Sequence, residues 1–453
     1  MRQKNAIEDS GSLTTRIDDP PLLGQHYGLG IVSLFCRFAI EASVSLSAAS
    51  AVLAIVFPER DRRNEIPHPT TGRTWLLRLG LFKLQRGKTI AGDWAWLVDH
   101  VVELGTCKCL IIVGVRLSQL SAPGSALQLK DLEPIAILPV DRSNQGIVYR
   151  QLEAQVEKTG VPCAILSDEG SDLLGGERQF CQAHPETILL SDIAHYAARL
   201  LKRRLEKNER WKEFYQQAAR TKCATGQTEL AFLTSPNQRS KARFMNLGPL
   251  LSWAEKTLAI LDQRPAEALE TVTPERLIEK FGWLCGFRPE LAQWSQWHRL
   301  SKTAIELVRN QGYSAGTPAM LQSRLRPLVG SESGDQLCSE LVDFVTEQSS
   351  RAKEGQRLPG STEILESSFG KLKSLQGDHQ KGGFTQLVLS YAALLGETTN
   401  SLIGQALEQV PVKRVSQWCR DHLGRTIQSQ RITAHRAVAQ HPAQENPEEP
   451  STL

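Results

Sequence analysis

"ILSDEGSDLLGG", residues 165–176, decides how the chain is read. Ala164, Ile165 and Leu166 run straight into Ser167, Asp168, Glu169 and Gly170. An apolar run bounded by turn residues predicts a buried strand. A carboxylate at the end of such a strand is costly unless it is paired or meets a cation. Asp168 therefore either caps the next turn or holds something positive.

Upstream, "WAWLVDHVVEL" (94–104), "KCLIIVGVRL" (108–117) and "PIAILPV" (134–140) predict three strands, the first two separated by Gly105 and Thr106. Residues 144–160 have helical periodicity and end on glycine. "VPCAILSD" (161–168) and "ETILLSD" (186–192) predict a fourth and a fifth strand, and a long helix follows from Ile193. Three strands close together and then strand–helix alternation give the order β-β-β-α-β-α-β-α. That order resembles an α/β ribonuclease-H-like core, an antiparallel trio extended by parallel strands.

The 453 residues, 41% apolar and 23% charged, suit a globular protein of several domains. Residues 1–25 read as a flexible lead-in. Residues 26–88 read as an all-α, helix-turn-helix-like DNA-binding domain. The core is expected at 89–205 and 361–400. Residues 206–360, which lose the strand pattern and carry Trp- and Leu-rich helical faces, form an all-α insertion. A basic helical segment, 401–436, and a disordered tail, 437–453, complete the chain.

Net charge is only +4, so local charge is the more informative quantity. Arg60, Arg62, Arg63, Arg73, Arg78, Lys83, Arg86 and Lys88 face only Asp61 and Glu65 in residues 60–88. A second basic block spans 199–222. Two such blocks in a near-neutral chain suggest a polyanion touched at two places, although each alone also fits a solvated helix face. The nine cysteines form no CxxC pair, which argues against a zinc ribbon or a disulfide framework and for a reducing compartment. The N-terminus shows no secretory signal, and the most apolar stretch, 28–57, is interrupted by Arg37 and Glu41. The expectation is a cytoplasmic, nucleoid-associated protein without a membrane partner.

Asp99 is a charge inside an otherwise apolar strand, which a strand core does not accept without a reason. In the expected sheet the fourth strand lies beside the first, bringing Asp168 to Asp99, and two such carboxylates call for a divalent cation. A third carboxylate is sought in "STEILESSFGKLKSLQ" (361–376), where Leu365, Phe369 and Leu372 define a buried helix face with Glu366 at its edge. Glu363 lies on the same stripe one turn earlier and is the fallback. A lone Glu on an amphipathic helix is more often simply exposed.

"SDEGSDL" (167–173) resembles the second-aspartate motif of the DDE transposases of bacterial insertion sequences, members of the ribonuclease-H-like integrase superfamily, and "ESSFGKLK" (366–373) resembles their Glu motif. "WLVDH" (96–100) fits the first aspartate. The resemblance covers 94–200 and 361–396. It implies DNA strand cleavage and transfer with two Mg²⁺ ions, for which Mn²⁺ can substitute, held by Asp99, Asp168 and Glu366. It also implies double-stranded DNA as partner, both terminal repeats and target, bound by a homodimer or higher oligomer. Arg73, Arg78, Lys83 and Arg86 in the N-terminal block, Lys202, Arg203 and Arg204 in the second, and Lys371 and Lys373 beside Glu366 are then the expected phosphate contacts. Two other readings are a catalytically inactive DNA-binding regulator and a structure-specific nuclease on the same core.

"GLFKLQRGKT" (80–89) ends like a phosphate-binding loop, but Phe82 stands where that loop needs glycine. His100 and His195 are each read as a satisfied polar histidine. Asp192 is read first as a helix N-cap and second as an accessory acidic residue.

Overall fold

The structure, a computed structural model, describes residues 21, 24–104, 107–120, 124–168, 170–238, 244–263, 272–376, 386–423 and 427–440. The expected lead-in over 1–20, the turn at Gly105 and Thr106, and the tail beyond Gln440 lie outside these residues. The chain opens with helices α1 (Leu29–Ile40), α2 (Leu46–Val56), α3 (Pro58–Arg62) and α4 (Pro69–Gln85). Next come strands β1 (Trp94–Leu104), β2 (Cys107–Arg116) and β3 (Glu133–Val140). Helices α5 (Gln145–Glu153) and α6 (Val156–Thr159) lead to β4 (Ala164–Ser167), α7 (Ser171–Ala183), β5 (Ile188–Ser191) and α8 (Ile193–Leu205). The one helix expected over 144–160 is thus two, broken at Ala154 and Gln155.

From Glu206 to Gly360 the described residues form helices, chiefly α9 (Glu209–Thr225), α10 (Gly248–Gln263), α11 (Pro274–Phe281), α12 (Arg288–Gln311), α13 (Thr317–Leu325) and α14 (Glu332–Ser349). Their core is aromatic: Trp211, Phe214, Trp283, Phe287 and Trp294 pack with ring centroids between 4.9 and 5.8 Å apart along the chain of contacts. The chain then returns beside its point of departure, where the Ile193 amide donates to the Gly360 carbonyl at 3.1 Å. Helices α15 (Glu363–Gln376), α16 (Val388–Leu394), α17 (Asn400–Gln409), α18 (Val412–Leu423) and α19 (Ile427–Gln440) complete the described fold.

The sheet order is β3-β2-β1-β4-β5. β1–β2 and β2–β3 are antiparallel, whereas β1–β4 and β4–β5 are parallel. Both faces are covered, so the strands read as apolar runs with little alternation. Trp94, Trp96, Val98, Ile165 and Ile112 pack under α5 and α7 with Val148, Leu173 and Phe180. On the other face, Ala95, Leu97, Ala164 and Leu166 join the core shared with α4, α8, α15 and α16. Successive strand residues alternate faces, so Asp99 and Asp168 continue the second set.

The N-terminal helices depart from the expected separate DNA-binding unit. Every residue of α4 from Trp75 to Leu84 is buried, Arg78 and Lys83 included. A helix buried all round belongs in a core, and α4 runs along α16 and touches α17, α18 and β3. The approach to α16 is so close that a Cβ on Gly80 would overlap the Leu389 carbonyl oxygen. The described residues of 401–436 are helical, as expected, and Ile403, Ala406, Leu407, Val415 and Trp418 are buried in that common core. Among the described residues no helix is long and apolar enough to cross a membrane.

Candidate active site

Parallel pairing of β1 with β4 sets Val98 opposite Ser167. Asp99 and Asp168 are the next residue on each strand and lie on the same sheet face. β1 continues through Asp99, which stands opposite Ile111 of β2 and accepts from the His100 amide at 2.6 Å. β4 stops, and Asp168 Oδ1 accepts from the Gly170 amide at 3.0 Å, turning the chain into α7. Asp168 therefore does cap the turn, and it also belongs to a charged cluster. Burial first, then the Asp168 carboxylate, then Glu366, push the Asp99 carboxyl up to about 7, against the opposing pull of the His100 amide and His195.

Glu366 reaches this cluster from α15. Leu365, Ser368, Leu372 and Leu375 form the buried face of that helix, and Ser368 also donates to the Tyr391 hydroxyl at 3.0 Å. Glu366 sits at the edge with its side chain half exposed, 3.6 Å from Nε2 of His195. Burial works against a charge on His195, but Glu366, Asp192 and Asp168 outweigh it and bring the imidazole up to about 9. His195 is thus the positive member of the site. The sequence signal for it was its place in the first turn of α8, three residues after Asp192.

Asp192 is buried and is no surface acid. Oδ1 accepts from the His195 amide at 2.8 Å, and Oδ2 accepts from the Thr362 amide and, at 2.9 Å, from the Thr362 hydroxyl. Glu363 pairs with Arg309 at 3.6 Å, and burial raises its carboxyl, with Asp192 and Glu366 adding to the rise against the pull of Arg309. This pair stands at the edge of a cleft of about 570 Å³ between α8, α10 and α12.

A second charged group flanks the aspartates on the side of α7. Lys108 Nζ lies 2.7 Å from Asp172 Oδ2, and His100 Nδ1 lies 3.8 Å from the same oxygen. Burial opposes the Asp172 charge, but Lys108, Ser143 and His100 draw its carboxyl down to about 2. Sequence reasoning passed over Asp172 and Lys108, because their pairing joins β2 to α7.

The expected phosphate contacts fare unevenly. Arg78 gives its guanidinium to the Val410 carbonyl at 2.6 Å, to the Leu407 carbonyl and to Gln25. Lys83 is fully buried and donates to the carbonyls of Ala393, Leu395 and Gly396 and to the Thr398 hydroxyl. Arg86 pairs with Glu133, and Arg73 donates to Gln386 at 3.1 Å. Arg78 and Lys83 are therefore internal ties and not a surface for DNA; residue charge alone shows no sign of this because their carbonyl partners lie more than 300 residues away. Lys371 is half-buried, with Nζ 3.5 Å from the Ile40 carbonyl. Arg204 is held by Glu340 and lies over Trp297. Lys202 and Arg203 keep exposed side chains, paired with Glu206 and Glu340. Lys373 is exposed.

The donor set Asp99, Asp168 and Glu366 is all carboxylate oxygen, the chemistry that suits Mg²⁺ or Mn²⁺. The desolvated Asp99 beside a second carboxylate is a charge a cation would relieve. As the side chains stand, however, no three His, Cys, Asp or Glu among the described residues form a cluster able to hold a metal ion, and Glu366 is engaged by His195.

No family model matches the chain, and no curated protein matches it. Among solved structures, it is similar to the Drosophila P element transposase strand transfer complex, at 13% sequence identity and a TM-score of 0.40, over 84% of this chain and 92% of that chain.

Proposed function

We propose that the chain is a DDE-type polynucleotidyl transferase with a ribonuclease-H-like core. It would act as the transposase of a bacterial insertion sequence, cutting double-stranded DNA at the element's ends and joining them to a target. The observation that carries this reading is the β1–β4 register, with Val98 opposite Ser167 and a carboxylate following each. The strand order and the approach of Glu366 from α15 support it further.

Asp99, Asp168 and Glu366 would hold two Mg²⁺ ions, or Mn²⁺, which when bound lower the pKa of the attacking hydroxyl or water and stabilise the leaving oxygen. The protein's own part is to keep two strand-borne carboxylates together on a rigid sheet and to bring the third on a separate helix. His195 pairs with Glu366 at 3.6 Å. The exposed Lys202 and Arg203 offer charge to a phosphate backbone, which positions DNA without reading its sequence. A homodimer or higher oligomer on DNA belongs to the same reading.

The test is a nicking assay on duplex DNA taken from either side of the gene. Cleavage with Mg²⁺ or Mn²⁺ that EDTA abolishes is the expected result. Binding without cleavage in either metal would overturn the enzyme and leave the DNA-binding regulator.

A further inference from the structure

Asp192 is a buried carboxylate, 1% exposed, to which the proposed chemistry assigns no ligand role. Its contacts join three segments far apart in sequence. Its amide donates to the Ser167 carbonyl at 3.2 Å, immediately before Asp168. Its Oδ1 caps α8 through the amide of His195. Its Oδ2 takes both the amide and the hydroxyl of Thr362, the residue immediately before α15 and four before Glu366. Thr362 is itself buried, and its carbonyl accepts from the Leu365 amide at 2.8 Å, so the carboxylate is bonded to the residue that opens the helix. A buried main-chain N–H without an acceptor is costly, and here the acceptor is Asp192.

We infer that Asp192 is the positioning residue of the site, the latch that fixes α15, and with it Glu366, against the strand end carrying Asp168. It acts through its hydrogen bonds and does not touch the reacting atoms. The same latch closes the helical insertion, because the chain re-enters the core at Gly360 and Thr362. The carboxylate is required because two acceptor oxygens must serve three donors. An asparagine offers one oxygen and, in place of the other, an NH₂ group that cannot accept. Asparagine is also a good N-cap, so Asp192→Asn spares the start of α8 and breaks the Thr362 side.

The role rests on the proposed function only for its consequence for the metal, and the experiment keeps the two apart. Hydrogen–deuterium exchange and Mn²⁺ binding, read by water-proton relaxation, are measured on the full chain for wild type and Asp192→Asn. The expected result is exchange over residues 362–366 faster by about tenfold, one charge-assisted hydrogen bond's worth. Mn²⁺ binding should weaken by about tenfold, as for groups that orient metal ligands, with duplex binding unchanged. Thr362→Val removes only the hydroxyl bond and should shift both quantities the same way by about threefold; it decides the matter if Asp192→Asn does not fold. Unchanged exchange over 362–366 overturns the latch. Weaker Mn²⁺ binding with unchanged exchange makes Asp192 a ligand and likewise overturns it. If the wild type binds no Mn²⁺, the metal reading fails while the exchange result still decides the latch.

Discussion

His195 Nε2 and Glu366 Oε1 lie 3.6 Å apart, 171 positions apart in sequence, and both groups act on the Asp99 carboxyl, as does Asp168. With its pKa raised to about 9, the imidazole is charged at neutral pH. It would then compete for Glu366 with the proposed cation. His195→Gln should therefore tighten Mn²⁺ binding by a few-fold, about 1 kcal/mol for an ion pair this exposed. It should lower the melting temperature only slightly, because a half-exposed, solvent-screened pair contributes little; that contribution is full below the unfolded value near 6.5 and is lost as pH rises through 9. Proton-relaxation titration at pH 7 and pH 10 checks this: the wild type should approach the variant at the higher pH.

Asp168→Asn removes one of the two strand-borne carboxylates and keeps the acceptor for the Gly170 amide. The turn into α7 should survive, so thermal stability should stay near wild type. DNA cleavage should fall by on the order of 10³-fold, the equivalent of several kcal/mol of metal-dependent stabilisation. Gel-shift binding should be unchanged. Normal cleavage by this variant would reduce Asp168 to a cap.

Lys83 gives a pH test independent of the site. Burial first, then the Arg86 charge, depress its pKa to about 7 from 10.5. Between those values the unfolded chain binds more protons than the folded one, so stability rises with pH across the window. Below pH 7 the full cost of burying the charge is present. Lys83→Met should abolish this rise. It should also lower stability by about 2 kcal/mol at pH 9, because the carbonyls of Ala393 and Leu395 are left without their donor. Urea midpoints of both proteins at pH 7, 8 and 9 give the comparison.

Residues 24–88 expressed alone should show no cooperative thermal transition by circular dichroism. The buried surface of α4 is completed by α16 and α17, and Gly80 and Lys83 have their partners there. A sharp melt would restore an independent N-terminal domain.

Neutralising Lys202 and Arg203 together should weaken binding to all duplexes alike. It should lower the slope of log affinity against log salt by about 2, because each cation that meets a phosphate releases about one counterion. Their side chains are exposed, unlike that of Arg204. A weakening confined to one DNA sequence would make them readers of bases.

The sheet was legible in the sequence because its strands are buried on both faces. Such strands must be apolar runs, and turn residues must separate them, so "WAWLVDHVVEL" and "CAILSD" announce themselves. The same rule exposed Asp99 and Asp168, since a charge in a run that otherwise excludes charge needs a reason. Glu366 is a candidate through the periodicity of Leu365, Phe369 and Leu372, which marks the inward face of its helix and leaves the Glu at the edge.

What only the tertiary structure decided is where each charge ends up. Arg78 and Lys83 have the same composition as a DNA-binding face, yet carbonyl groups at Leu407, Val410 and Leu395 take them into the core. Asp192 reads locally as an N-cap, and half of that is right; its second oxygen belongs to Thr362, 170 residues on. His195 reads as a lone histidine because Glu366 lies beyond the whole insertion. Local pattern reports which elements form and which face is buried, for both depend on neighbours three, four or two residues away. Which buried charge meets which partner depends on chain closure across hundreds of residues, and no local pattern carries that.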